Sequence, residues 1–506
     1  MKKRNVLRIA AITTALLSAL VAGCGGDSPE KLIASSKEFL AKNDSKAAVI
    51  QLKNALQQNP NLGEARFLLG KALLESGDMA GAEVELRKAL ELKFAAEQTT
   101  PLLARALLST GQAKKVSDEF SKIEMPAGEP TAALKTIVSA AYQAQGNRDA
   151  AQASLTAALA AQPDYEPALL ASARLKAAGR DFAGALVIVD GVLTKSPKNY
   201  EALLLKGSLA SVQRDSNAAL DLYRKAVEAK PDYLMAHSAI ITSLMQQGKL
   251  DEAVKQLDAL KKIAPKNPQT IYLDAQLSYQ RKDYKAAREL SQQMLKIAPN
   301  NPGVLQIAGA VEFQLGAFVQ AESYLNKALQ QAPEMPLARR LLVANYLRTG
   351  QAIKASEALA PVLGKIDKDP AFLALAGQTF LLNGDEKKAE EYFSKATKLD
   401  PKDPAKRTSL AMTHIAMGDT NTGFSELEEI SASDKGSSAD LALISAYLRR
   451  NDFDKALKAI DNLEKKQPND AATYNLRART LMAKRDTAGA RKSFEKALSV
   501  NPAFLP

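Results

Sequence analysis

Two histidines, His237 and His414, and a single cysteine, Cys24, are the residues of this 506-residue chain most apt for nucleophilic, acid-base or metal chemistry. A zinc site needs three or four converging ligands, and a triad needs a base held against its nucleophile. The histidines stand far apart at helical positions, with no His-x-x-x-His pair near either, so each reads as a packing or surface residue. Glycines occur singly at turns, which gives no phosphate-binding loop. Aspartates and glutamates recur at helix starts and exposed faces, so no paired-carboxylate site stands out. The chain reads as no enzyme: no catalytic, cofactor-binding or metal-binding residue is expected, and no small-molecule substrate. Only Cys24 sits where a specific reaction is expected.

The segments around Cys24 define that reaction. Lys2, Lys3, Arg4 and Arg8 form a basic start, and Ile9 to Ala22 form an apolar run too short for a comfortable membrane span. Residues 1–23 therefore read as an export signal. It ends in Leu20-Val21-Ala22-Gly23-Cys24, which resembles the bacterial lipobox, where signal peptidase II cuts before a cysteine that carries a diacylglyceryl group and an acylated amine. Residues 24–28 are then the lipidated cysteine and a short spacer, and several acyl chains meet the need for more than one anchor in stable attachment to a bilayer. The residue after the cysteine is Gly25, not Asp, which by the sorting rule of Gram-negative lipoproteins favours the outer membrane. Lipidation of the sole cysteine leaves no thiol for a disulfide.

Composition sets further limits. Apolar residues make up 46% of the chain and charged residues 25%, Trp is absent, and Ala and Leu dominate, which favours soluble helical structure. The formal charge of +12 falls to +8 once the four basic residues of the leader are removed. That mild excess, without clustered Lys/Arg and stacking aromatics, gives no nucleic-acid surface.

The body of the chain is a tandem array. Pro163, Pro197, Pro231, Pro265, Pro299 and Pro333 are spaced by 34 residues, and similar residues surround each. Such a period marks helix pairs that bury their apolar faces only by stacking. In one unit Leu373, Ala376, Gly377 and Phe380 mark a first helix and Ala389, Phe393 and Ala396 a second, with a turn at Gly384-Asp385 and closure at Pro401. Gly377 and Ala389 are small so that the helices approach closely, and Phe380 and Phe393 are expected to fill the space between units. Gly77-Asp78, Gly384-Asp385 and Gly418-Asp419 pair a residue tolerant of positive φ with a capping carboxylate, and Asp283, Asp452 and Asp486 occupy the same slot. Asn301, Asp403 and Asp470 follow closing prolines where they can cap the next unit.

This pattern resembles the tetratricopeptide-repeat (TPR) family, with small residues at the eighth, twentieth and twenty-seventh positions and proline near the thirty-second. Ala48, Ala82, Ala151, Ala185, Ala219, Ala253, Ala287, Ala321, Ala355, Ala389, Ala456 and Ala490 supply the twentieth position, and Val116 and Gly423 replace it in two further units. The resemblance implies an all-α fold, a right-handed superhelix of about 14 helix-turn-helix repeats over residues 29–502, with 503–506 starting a truncated next repeat. The third unit, ending near Pro126 to Pro130, and the twelfth, running into Ala432 to Ser438, are the weakest; they read as hinges between rigid blocks or as longer turns, the latter favoured because the period resumes at once. In the family, positions 2, 5, 9, 12 and 13 of the first helix line a binding groove. Here they include Met235 and Met245, then Tyr272, Gln276 and Tyr279, then Phe313 and Gln314. Arg340, Leu347 and Arg348 follow in the tenth unit, and Met412 and Ile415 in the twelfth. Tyr279, Phe313 and Leu347 have a second reading, as core against the following unit. The two-carboxylate clamp of chaperone-binding TPRs is not found.

The opening run from Ala47 to Gln57, with Ala65-Arg66-Phe67-Leu68-Leu69-Gly70 after it, is similar to the TPR lipoprotein of the PEP-CTERM/exosortase system. That resemblance implies exopolysaccharide-producing bacteria and the sorting of proteins with a C-terminal PEP motif. The expected role is an envelope scaffold on the periplasmic face of the outer membrane. Its partners would be other envelope proteins or peptide segments, and the lipid bilayer through acylated Cys24. A pilus or secretin assembly lipoprotein is the alternative within the binding class. A tethered cell-wall enzyme is the alternative from another class, and it would need a catalytic domain outside the repeats.

Overall fold

The computed structural model describes residues 27–504, so the export signal, the Cys24 anchor and the last two residues lie outside the described residues. Every regular element among them is helical: 28 α-helices and one 3₁₀ turn, in an α-solenoid of fourteen helix pairs. The array divides into two compact units, one reaching Ser243 and the other starting at Leu244.

The first unit opens with α1 (Pro29–Ala41) and α2 (Ser45–Gln58), α3 (Gly63–Ser76) and α4 (Met79–Glu91), then α5 (Ala96–Ser109) and α6 (Ala113–Phe120). Next come α7 (Glu129–Ala144) and α8 (Arg148–Ala161), α9 (Glu166–Ala178) and α10 (Phe182–Lys195), and α11 (Tyr200–Val212) and α12 (Ser216–Ala229). Helix α13 (Leu234–Gln246) carries the division between the two units and pairs in sequence with α14 (Leu250–Ile263).

The second unit continues with α15 (Pro268–Gln280) and α16 (Tyr284–Ile297), α17 (Pro302–Gln314) and α18 (Phe318–Gln331), and α19 (Pro336–Arg348) and α20 (Ala352–Leu359). Then follow α21 (Pro370–Leu382) and α22 (Glu386–Leu399), α23 (Pro404–Ala416) and α24 (Thr420–Ser433), α25 (Ser438–Arg449) and α26 (Phe453–Lys466), and α27 (Ala471–Ala483) and α28 (Thr487–Val500).

Close approach inside each pair comes from small residues. All fourteen twentieth-position residues are buried, the thirteen with a side chain at 0% exposure. The eighth position works with the residue sixteen further on. A Cβ on Gly70 would fall 2.5 Å from Leu86, on Gly207 2.5 Å from Tyr223, on Gly309 2.7 Å from Leu325 and on Gly377 2.8 Å from Phe393. One helix thus gives up its side chain so that a large one from its partner can lie on its backbone. This corrects one expectation: Phe393 fills the space within its own pair, and Phe380 stacks on Tyr392 of the same pair with centroids 5.3 Å apart.

Helix ends follow the sequence closely. Gly77, Gly384 and Gly418 take φ of 88°, 77° and 92°, and Asp78, Asp385 and Asp419 accept from backbone N–H groups of the helix they open. Asp283 and Asp486 cap likewise, whereas Asp452 makes no side-chain cap bond and instead lies 3.6 Å from Lys455. Asn301, Asp403 and Asp470 each cap the helix that follows a closing proline. At the same turn position Asn43, Arg180, Arg214, Lys282, Asn451 and Arg485 hold positive φ without being glycine.

Two second helices are short. In the third pair α6 spans eight residues and ends at Phe120, before the turn-rich stretch around Pro126. In the tenth pair α20 also spans eight, because Pro361 lacks the N–H that an α-helix needs and the chain tightens into a 3₁₀ turn over Ala360–Lys365. The twelfth pair keeps a full fourteen-residue α24, so its turn-rich segment is confined to the link before α25.

Candidate partner-binding surface

The candidate residues lie on the first helices of their pairs, which 34-residue stacking sets side by side within each unit. In the first unit Met235 is 63% exposed, and the Tyr233 hydroxyl lies 3.7 Å from its Sδ. Beside it Tyr200 and Tyr233 meet edge to face at 4.7 Å, with the Lys230 ammonium over the Tyr200 ring.

In the second unit the candidates divide. Met245 is 7% exposed and belongs to the packing, a correction that follows from its apolar side chain turning toward the core, and Leu347, 9% exposed, takes the second of its two readings, as core. Tyr279 and Phe313 are half-buried against the second helix of their own pair, with ring centroids 5.6 Å from Tyr284 and 5.9 Å from Phe318. Gln314 is exposed and its Nε2 donates to the Tyr279 hydroxyl at 3.4 Å, tying one pair to the next. Tyr272 is half-buried, and burial pushes its phenol above the ordinary value. Gln276 and Met412 are also half-buried. Ile415 reaches into the gap that Gly423 leaves, where a Cβ would lie 2.5 Å away. Arg340 donates to Asp369 at 3.3 Å across adjacent pairs, and Arg348 is exposed with no side-chain partner among the described residues.

Both histidines contact neighbouring groups of the solenoid. His237 is buried, with Nε2 2.9 Å from the Pro231 carbonyl oxygen. The residue six places after other closing prolines makes the same clip: Arg66 to Pro60, Arg339 to Pro333 and Tyr474 to Pro468. His414 lies 2.8 Å from Glu426 on the second helix of its pair. Among the described residues no three His, Cys, Asp or Glu side chains converge on a metal-sized site, and no helix is long and apolar enough to cross a membrane.

Sequence reasoning missed the cavity of about 660 Å³ between α25 and α27. Leu441, Leu448, Phe453 and Leu476 line it with Arg449 and Arg479. The signal was available. Arg449 and Arg479 stand four and eight residues before their second helices, the offsets of Arg348 and Met412 in theirs.

Family models described as tetratricopeptide repeat match residues 34–96, 170–234 and 441–504, 213–277 and 312–378, and 371–403, together more than half of the chain. A model described as anaphase-promoting complex, cyclosome, subunit 3 matches residues 246–328. Among curated proteins, the chain is 28% identical over 169 residues to cellulose synthase operon protein C of Pseudomonas fluorescens, covering 32% of this chain and 13% of that protein. It is 35% identical over 68 residues to the uncharacterized protein y4yS of Sinorhizobium fredii, covering 13% of this chain and 37% of that protein. The chain thus spans well under half the length of both. The crystal structure of the APC/C hetero-tetramer Cut9-Hcn1 superposes with a TM-score of 0.51 at 16% identity, covering 96% of both chains, and shares the fold.

Proposed function

Because this chain belongs to the tetratricopeptide-repeat family, we propose that it is a non-catalytic scaffold of the bacterial cell envelope, held to a membrane through acylated Cys24 and binding protein segments along its first helices. One observation carries the binding part. In the second unit Gln314 and Arg348 are exposed at the same offset before their second helices, with Gln276 half-buried on a first helix beside them, and in the first unit Met235 is exposed on a first helix. A face of mixed apolar, amide and guanidinium groups is the kind that anchors protein partners.

The envelope part is supported by the Leu20-Val21-Ala22-Gly23-Cys24 motif, with Gly25 after the cysteine favouring the outer membrane. A role in exopolysaccharide assembly is supported by the similarity to a cellulose synthase operon protein, and one in PEP-CTERM/exosortase sorting by the Ala47–Gln57 run. Two measurements test the reading. Cys24→Ser should release the full chain from envelope membranes, and retention of the variant there would overturn the anchor. Crosslinking in intact envelopes followed by capture of the chain should recover envelope proteins, and recovery of none would overturn the scaffold.

A further inference from the structure

The first helices of the second unit carry very few carboxylates, and none of them is free. Over α15, α17, α19, α21, α23, α25 and α27 the only ones are Asp274, Glu312 and Asp440. Asp274 accepts from Lys261 at 2.8 Å. Glu312 is buried and bound by Arg288, whose Nε donates to Oε1 at 2.9 Å. Asp440 is 0% exposed, 2.6 Å from the Lys466 ammonium and 2.5 Å from the Ser431 hydroxyl.

The cations on the same helices are not all matched. Arg340, Lys406, Arg407 and Arg477 are each paired with carboxylates. Arg348, Arg449 and Arg479 are exposed and make no side-chain hydrogen bond or ion pair among the described residues. Two of these three sit on one cavity, that between α25 and α27, which no carboxylate lines. Its wall is mixed: Leu441, Leu448, Phe453 and Leu476 stand among Ser445, Asn451 and Thr480, and Leu441 is 47% exposed. Apolar surface left in water is unfavourable for the free protein, and the two exposed guanidiniums beside it are solvated but unmatched. A segment carrying carboxylates and an apolar side chain would match both features at once, since guanidinium forks pair with carboxylates and the apolar part of the wall takes the apolar group.

We propose that the groove between α25 and α27 docks an acidic segment of a partner protein, with carboxylates on Arg449 and Arg479 and an intervening aliphatic or aromatic side chain against Leu441, Leu448 and Leu476. The proposal rests on the scaffold reading and names the chemistry of one of its partners.

The test is selection of a random 12-residue peptide library on the purified full chain. Enriched peptides should combine Asp or Glu with Leu, Ile, Val or Phe. Their affinity should fall by more than about tenfold in the double variant Arg449→Glu/Arg479→Glu and fall with added salt. In Arg491→Glu, a reversal on the exposed face of α28, it should stay within about twofold. Far-ultraviolet circular dichroism confirms that the variants keep their helices. Enrichment of peptides without carboxylates, failure to enrich any, or binding indifferent to the double reversal would overturn the site. Recovery of crosslinked envelope proteins alongside any of those results would leave the scaffold reading standing.

Discussion

The ring of Phe393 on α22 lies flat against the backbone of α21 at Gly377, where a Cβ would come within 2.8 Å of its ring carbons. That contact, repeated as Leu86 on Gly70, Tyr223 on Gly207 and Leu325 on Gly309, sets the distance between helices in four pairs and so the spacing of the face they present. Gly377→Ala should therefore destabilise the chain by about 1–3 kcal/mol despite alanine's better helix propensity. Urea denaturation measures it. In a double-mutant cycle with Phe393→Ala, the two costs should be clearly less than additive, and simple additivity would contradict the contact.

Lys282 and Arg214 hold φ of 64° and 65° at turns where other pairs use glycine. L-residues are strained in that region, so Lys282→Gly or Arg214→Gly should raise stability by about 0.5–1 kcal/mol. Thermal denaturation reads the change, and a loss of stability would mean that these side chains contribute more than their backbone strain.

Asp181 and Asp385 have carboxyls held below their ordinary value of 3.8. Side-chain hydrogen bonds from Lys176 and Lys388 are the main cause, with the backbone N–H groups of Gly184 and Lys388 next. A depressed folded-state pKa gives stability that is present above the unfolded value and is lost as pH falls through the folded one. The chain should lose stability as pH drops below about 4. Asp181→Asn/Asp385→Asn, which keeps the cap acceptors and removes the charges, should make that loss shallower. An unchanged acid limb in denaturation curves would contradict the assignment.

His237 serves the backbone through the Pro231 carbonyl. His237→Ala should cost about 1–3 kcal/mol and leave partner binding unchanged, measured by urea denaturation beside a binding assay. A binding defect without a stability defect would move His237 to the functional surface.

Much of this was legible in the sequence because solenoid architecture is local. The 34-residue period, the small twentieth positions and the Gly-Asp turns each depend on residues within one unit, and the fourteen pairs follow from them. Properties that depend on neighbouring units were harder to see. Met245 and Leu347 occupy groove offsets, yet both are buried, Leu347 in an apolar cluster drawn from its own and adjacent pairs. Ile415 is drawn inward because Gly423 replaces the usual alanine opposite it. The break at Pro361 falls in a unit whose alanine, Ala355, is in place but whose closing proline is missing, since the 34-residue spacing from Pro333 reaches Asp367. Arg449 and Arg479 were in register, but their lack of partners emerges only once every nearby carboxylate has been assigned.

The central claim is that the first-helix face of the array holds protein partners in the envelope. Site-directed photocrosslinking tests it most directly, with a photoreactive side chain at exposed first-helix positions Met235, Gln314 and Arg348 and at exposed second-helix positions Val187 and Val319. Crosslinks to envelope proteins from the first set and not the second are the predicted result. Crosslinks confined to the second set, or absent from both, would contradict it.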